Sequence, residues 1–125
     1  MSSRRAGVGL DPVVEGVRKG PRRWELELAI PDDLSCLEGH FRGFPIVPGV
    51  LQLDWVIRYA LEWRGREPNS LNIDRLKFKR PLLPGDRPKL TLETDDGGEF
   101  FRFRLADDAG DFSTGNLVCV GEHDA

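Results

Sequence analysis

Three features of this 125-residue chain predict an α+β domain in which one long helix packs on an antiparallel sheet. One stretch, Val50 to Trp63, is apolar nearly all round and long enough for about four helical turns. Every segment beyond residue 70 reads instead as strand, separated by turns rich in Pro, Gly and Asp. No internal repeat or linker divides the chain, so residues 1–125 are expected to form one domain. Strands joined by consecutive hairpins make an antiparallel sheet, and one helix against such a sheet belongs to the α+β class.

Residues 1–20 are rich in Gly, Arg and Val with weak periodicity, a candidate loose N-terminal arm. Within them, Asp11 to Val17 suits either a helical turn or a strand. Gly20-Pro21 is a break. From Arg22 to Ile30 apolar and polar residues alternate, which places Trp24, Leu26, Leu28 and Ile30 on one face of a half-buried strand. Pro31-Asp32-Asp33 ends it, and residues 34–39 are expected to form a short turn or helical connection. Pro48-Gly49 can open the helix, since proline is tolerated where the first N–H groups have no intrahelical partner. Gly65 is a suitable stop, giving a helix about 24 Å long. Leu71 to Lys79 is a strand, Pro81 to Asp86 a turn-rich bulge, and Lys89 to Thr94 a short strand. Asp95-Asp96-Gly97-Gly98 is a hairpin turn into Glu99 to Leu105, and Asp107-Asp108-Ala109-Gly110 is another, into Phe112 to Val120.

The 39% hydrophobic content supports a modest core, but a domain this small leaves much of its surface exposed. An apolar central helix is therefore a reason to expect a second subunit. A net charge of −3 gives no reason to propose nucleic-acid binding. No run approaches 18 apolar residues, so no membrane span is expected. The basic start, Met1 to Ala6, lacks the apolar core of a signal peptide. Cys36 and Cys119 are too few and too far apart for a disulfide framework or metal site. A cytoplasmic location follows as the expectation.

The chemistry-bearing stretch is Gly39-His-Phe-Arg-Gly-Phe-Pro-Ile-Val-Pro-Gly-Val-Leu-Gln-Leu-Asp54. It places His40 in a loop shaped by Gly43, Pro45, Pro48 and Gly49, and Asp54 on the helix that follows. Imidazole suits proton transfer near neutrality, though a loop histidine is more often a cap or a surface residue. His123, the other histidine, lies in a charged tail and reads as solvated. Asp54 has two readings. With Arg58 and Glu62 at i, i+4 spacing it can form an ordinary salt-bridged stripe, which the pattern favours. Its apolar neighbours Leu53, Trp55, Val56 and Ile57 would instead desolvate it and suit a general acid. Gly49, at the helix N-terminus, can offer an N–H to developing negative charge, or can simply be the glycine a tight turn needs.

The same stretch resembles the active-site motif of hot-dog-fold 3-hydroxyacyl-(acyl carrier protein) dehydratases. Phe78-Lys-Arg-Pro-Leu-Leu-Pro-Gly-Asp86 is similar to their second motif. Gln52-Leu53-Asp54-Trp55 is closest to the small dehydratases of aryl-polyene-type polyketide clusters. The resemblance spans about residues 22–120 and implies a central helix wrapped by a curled antiparallel sheet, in a homodimer joined edge to edge. It implies His40 as the catalytic histidine and Asp54 as the catalytic acid, brought together from different subunits, with the Gly49 N–H on the thioester carbonyl. Arg42 stands where the family usually has proline, which places a cation beside the histidine.

The activity so implied is dehydration of a 3-hydroxyacyl thioester to the trans-2-enoyl thioester, in fatty-acid or polyketide biosynthesis, with no metal and no cofactor. Phe44, Val50, Leu51 and Trp55 would line the acyl tunnel. The partner would be an acidic acyl carrier protein, with Arg75, Lys77, Lys79 and Arg80 as candidate rim cations, although alternating Lys and Arg on a strand is more often just its wet face. Two other readings stand beside this one. A hot-dog thioesterase would not need the His40–Asp54 pair, and Arg42 motivates a non-catalytic acyl-binding or assembly subunit.

Overall fold

The computed structural model describes residues 11–32 and 46–121. Their elements in order are β1 (Val13–Lys19), β2 (Arg23–Ala29), α1 (Gly49–Arg64), β3 (Ser70–Phe78), β4 (Lys89–Thr94), β5 (Phe100–Asp107) and β6 (Gly110–Val120). The strands form one antiparallel sheet in the order β1-β2-β4-β5-β6-β3. β4, β5 and β6 are consecutive hairpin partners, whereas β2 and β3 flank them. The chain between β2 and β3 therefore crosses from one side of that hairpin unit to the other, about 19 Å at ordinary strand spacing. α1, about 24 Å long, is the described element of that crossing.

Alternation becomes burial in the central strands. Trp24, Leu26 and Leu28 of β2, Leu90 and Leu92 of β4, Phe101, Phe103 and Leu105 of β5, and Leu117 of β6 are all buried. Against them α1 places Trp55, Val56 and Ala60. The far end of α1 is fixed by aromatic contacts: Trp63 lies 5.6 Å from Trp24 and 6.0 Å from Phe101, centroid to centroid. Gly65 ends the helix at φ 82°, its N–H bonded to Leu61 O at 2.9 Å. This left-handed position is one a side chain would strain.

The structure corrects the expectation of a helix buried all round. Val50, Asp54, Arg58 and Glu62 form an exposed stripe at i, i+4 spacing, and Val50 is 80% exposed. A helix on one face of a sheet buries only the side that meets the sheet, and no described residue covers the other. The open choice over Asp11 to Val17 falls to strand: β1 occupies Val13–Lys19 and pairs with β2. Residues 1–10, the rest of the candidate arm, lie outside the described residues, as do residues 34–39. β3 departs from simple alternation at a bulge between Asp74 and Lys77, where Arg75 has φ 55°.

Candidate active site

The site takes shape where α1 begins. Pro48 precedes the helix with extended geometry (φ −59°, ψ 144°), and its carbonyl accepts from the N–H groups of Leu51 and Gln52 at 3.1 and 3.2 Å. At Gly49 and Val50 a helix supplies no acceptor, and none is paired with them among the described residues. These N–H groups lie at the positive end of the helix dipole, where a polarised carbonyl oxygen is stabilised. Gly49 also has a steric reason to lack a side chain. A Cβ there would lie 2.7 Å from Cζ of Phe78. Both readings of this glycine are therefore compatible with the geometry.

An open recess of about 530 Å³ lies beside this helix start, lined by Ile46, Val47, Gly49, Val50, Phe78 and Arg80 among others. Val50 thus lines the recess. Leu51 is half-buried against the core, and Trp55, 1% exposed, is packed inside it. Neither lines the recess of the single chain. His40, Phe44 and Arg42 lie outside the described residues.

Asp54 follows Val50 by one turn, about 6 Å along the axis. Its carboxylate is more than half exposed and accepts from Arg58 Nε at 3.1 Å. Within one chain this is the salt-bridged stripe that the spacing favours, not the desolvated carboxyl that Leu53 and Trp55 suggest. Arg58 also reaches Asp11, ahead of β1.

The four candidate rim cations divide between two surfaces. Lys79 and Arg80 border the recess. Arg80 is engaged structurally: it pairs with Asp107, donates to Gly110 O at 2.8 Å and lies 3.9 Å over the Phe112 ring. Arg75 and Lys77 face a groove of about 420 Å³ on the sheet, together with Arg23, Arg102 and Arg104, and Lys79 lines this groove as well.

The sequence reading assigned no role to Gln52. This side chain is 4% exposed, donates from Nε2 to Val47 O at 3.2 Å and accepts from Ser113 Oγ at 3.0 Å. It ties the helix start to the segment before it and to β6. The available signal was a lone amide among apolar neighbours. The Asp11–Arg58 contact had no such signal, because nothing local links those two positions.

A family model described as ApeI-like, ApeI dehydratase, matches residues 16–116. The chain belongs to the ApeI-like dehydratase family. The 3-hydroxyacyl-(acyl-carrier-protein) dehydratase FabZ of Haemophilus influenzae (strain PittEE) is 41% identical over 66 residues, which cover 46% of this chain and 45% of that protein. The chain thus matches about half the length of these curated relatives. Among solved structures, the dehydratase heterocomplex ApeI:P from Xenorhabdus doucetiae aligns with a TM-score of 0.75 and 29% identity, over 87% of this chain and 98% of that one. Thioesterase superfamily member 2 from Mus musculus aligns at 0.62 with 14% identity, over 85% of this chain and 81% of that one, a likeness of fold alone. The fold is the hot-dog fold, and the resemblance to dehydratases near the aryl-polyene type agrees with the family match. Among the described residues, no helix is long and apolar enough to cross a membrane.

Proposed function

We propose that this chain dehydrates a 3-hydroxyacyl thioester, presented by an acyl carrier protein, to the trans-2-enoyl thioester in fatty-acid or aryl-polyene-type biosynthesis. The observation that carries the reading is the start of α1. There, N–H groups without an intrahelical acceptor meet an open recess, and a carboxylate follows one turn along. Dehydration needs those parts. The thioester carbonyl acidifies the C2 proton, and a hydrogen bond from Gly49 N–H stabilises the enolate-like charge that grows on its oxygen. His40 takes the C2 proton as general base. Asp54 acts on the C3 hydroxyl, which leaves as water. No step calls for a metal or an organic cofactor.

The shared site of a homodimer fits the exposed surface. Val50 and Phe78 border the recess and are 80% and 51% exposed, and β3 has a free edge among the described residues. A second subunit that covers them would desolvate the Asp54 surroundings and bring its own His40 to the carboxylate. Carrier proteins are acidic, and Lys79 and Arg80 at the recess with Arg75 and Lys77 on the adjoining groove are the cations we assign to their approach. We read the enzyme as cytoplasmic.

The test is incubation with 3-hydroxyacyl and saturated acyl thioesters of the carrier protein, with enoyl product and free thiol followed together. Enoyl formation without thiol release is expected. Thiol release without enoyl product would make the protein a thioesterase, and binding without turnover would make it an assembly subunit.

A further inference from the structure

Arg58 is the hub of a three-residue ion network on the exposed stripe of α1. Its Nε donates to Asp54 Oδ2 at 3.1 Å, and Nη2 donates to Asp11 Oδ1 on the lead-in to β1. An isolated i, i+4 pair on a helix surface holds its partners loosely and contributes little. The third group changes that. A guanidinium is a rigid planar fork, so fixing one nitrogen on Asp11 fixes the direction in which Nε meets Asp54. Partial burial lowers the Arg58 pKa, but the Asp11 and Asp54 carboxylates more than reverse this, so the side chain stays charged. Nearby lie Tyr59, whose hydroxyl burial pushes up in pKa, and Glu62, one turn on.

We propose that Arg58 is a positioning residue for Asp54: held by Asp11, it aims the Asp54 carboxylate so that this accepts a hydrogen bond from the C3 hydroxyl. This rests on the reading of Asp54 as the partner of His40 in dehydration. The proton balance then runs through the imidazole alone. His40 takes the proton from C2, the C2–H electron pair becomes the C2–C3 double bond, and the C3–O bond breaks. The imidazolium returns the same proton to the departing hydroxyl, which leaves as water, and His40 ends neutral.

The test combines steady-state kinetics on 3-hydroxyoctanoyl-N-acetylcysteamine, resolved into kcat and KM, with thermal melting, in the wild type, R58M, R58K, D11N and D54N. R58M, which loses an exposed ion-pair hub, should keep its fold intact. Its kcat should fall about tenfold with KM little changed, since aim acts on the reacting geometry. R58K should restore only part of kcat, because an ammonium lacks the fork. D11N, which leaves Arg58 charged, should lower kcat by a smaller factor than R58M. An unchanged kcat in R58M, with D54N inactive, would overturn the positioning role while leaving the dehydratase reading intact. A rise of kcat in R58M would also overturn it. Wild-type turnover by D54N would instead remove the dehydratase reading on which the proposal stands.

Discussion

Gly49 and Phe78 show how one backbone position can serve packing and chemistry together. The Phe78 ring closes on the helix start at a distance that leaves no room for a Cβ. Because that ring is half exposed, it can yield, so Gly49→Ala should lower stability by only about 1 kcal/mol, at the small end of overpacking costs. Pairing it with Phe78→Ala should show a coupling of opposite sign in a double-mutant cycle read by thermal melting. Additive losses would mean that the two residues do not constrain each other. At this scale the sequence was only partly legible. The helix-start glycine stands out between Pro48 and an apolar run. Whether Trp55 faces an acyl chain or the core depends on which side of α1 meets the sheet, and that is set by strands far away in sequence.

The helix start is held to β6 by Gln52, and the β5–β6 hairpin is held by charge. Replacing Gln52 with Leu leaves Val47 O and Ser113 Oγ without their partner in a buried place, which should lower stability by about 1–3 kcal/mol. Adding Ser113→Ala should recover part of that loss in denaturant titrations, since a cavity-matched apolar pair leaves fewer unpaired groups. The hydrogen bond from Arg104 holds the Asp111 carboxyl below the usual carboxylate range, and Arg80 does the same for Asp107. Depressed folded-state pKa values give a contribution that is complete above the unfolded value, near pH 4, and lost as pH falls through the lower folded value. The melting temperature should therefore drop below about pH 4, and less steeply in R104M, where one of the shifted groups reverts. β2 and β4 to β6 were legible because each buries one face and so writes a period into the sequence, and α1 because its long apolar run lies between Pro48 and Gly65. β1 was not, because this edge strand has almost no buried residue, and without burial there is no alternation to read. The β3 bulge was hidden for a related reason: it lies on an edge whose side chains are mostly exposed.

At the scale of the molecule, the described residues leave the candidate site open to its surroundings. Val50, Phe78 and Asp54 face outward at the helix start, where the core should be best covered. Light scattering at micromolar concentration should therefore report a dimer; a stable monomer would contradict the shared site. The motif around His40 was readable as a resemblance, whereas the proposed completion of its acid/base pair between subunits follows from no pattern within one chain. Complementation tests that claim most directly. H40A and D54N subunits, each inactive alone in the enoyl-forming assay, are mixed, unfolded together and refolded. Half of the dimers formed at random are mixed, and each mixed dimer holds one site with both groups intact, so about a quarter of wild-type activity should return. No recovery, with mixed dimers demonstrably present, would contradict a site built from His40 of one subunit and Asp54 of the other.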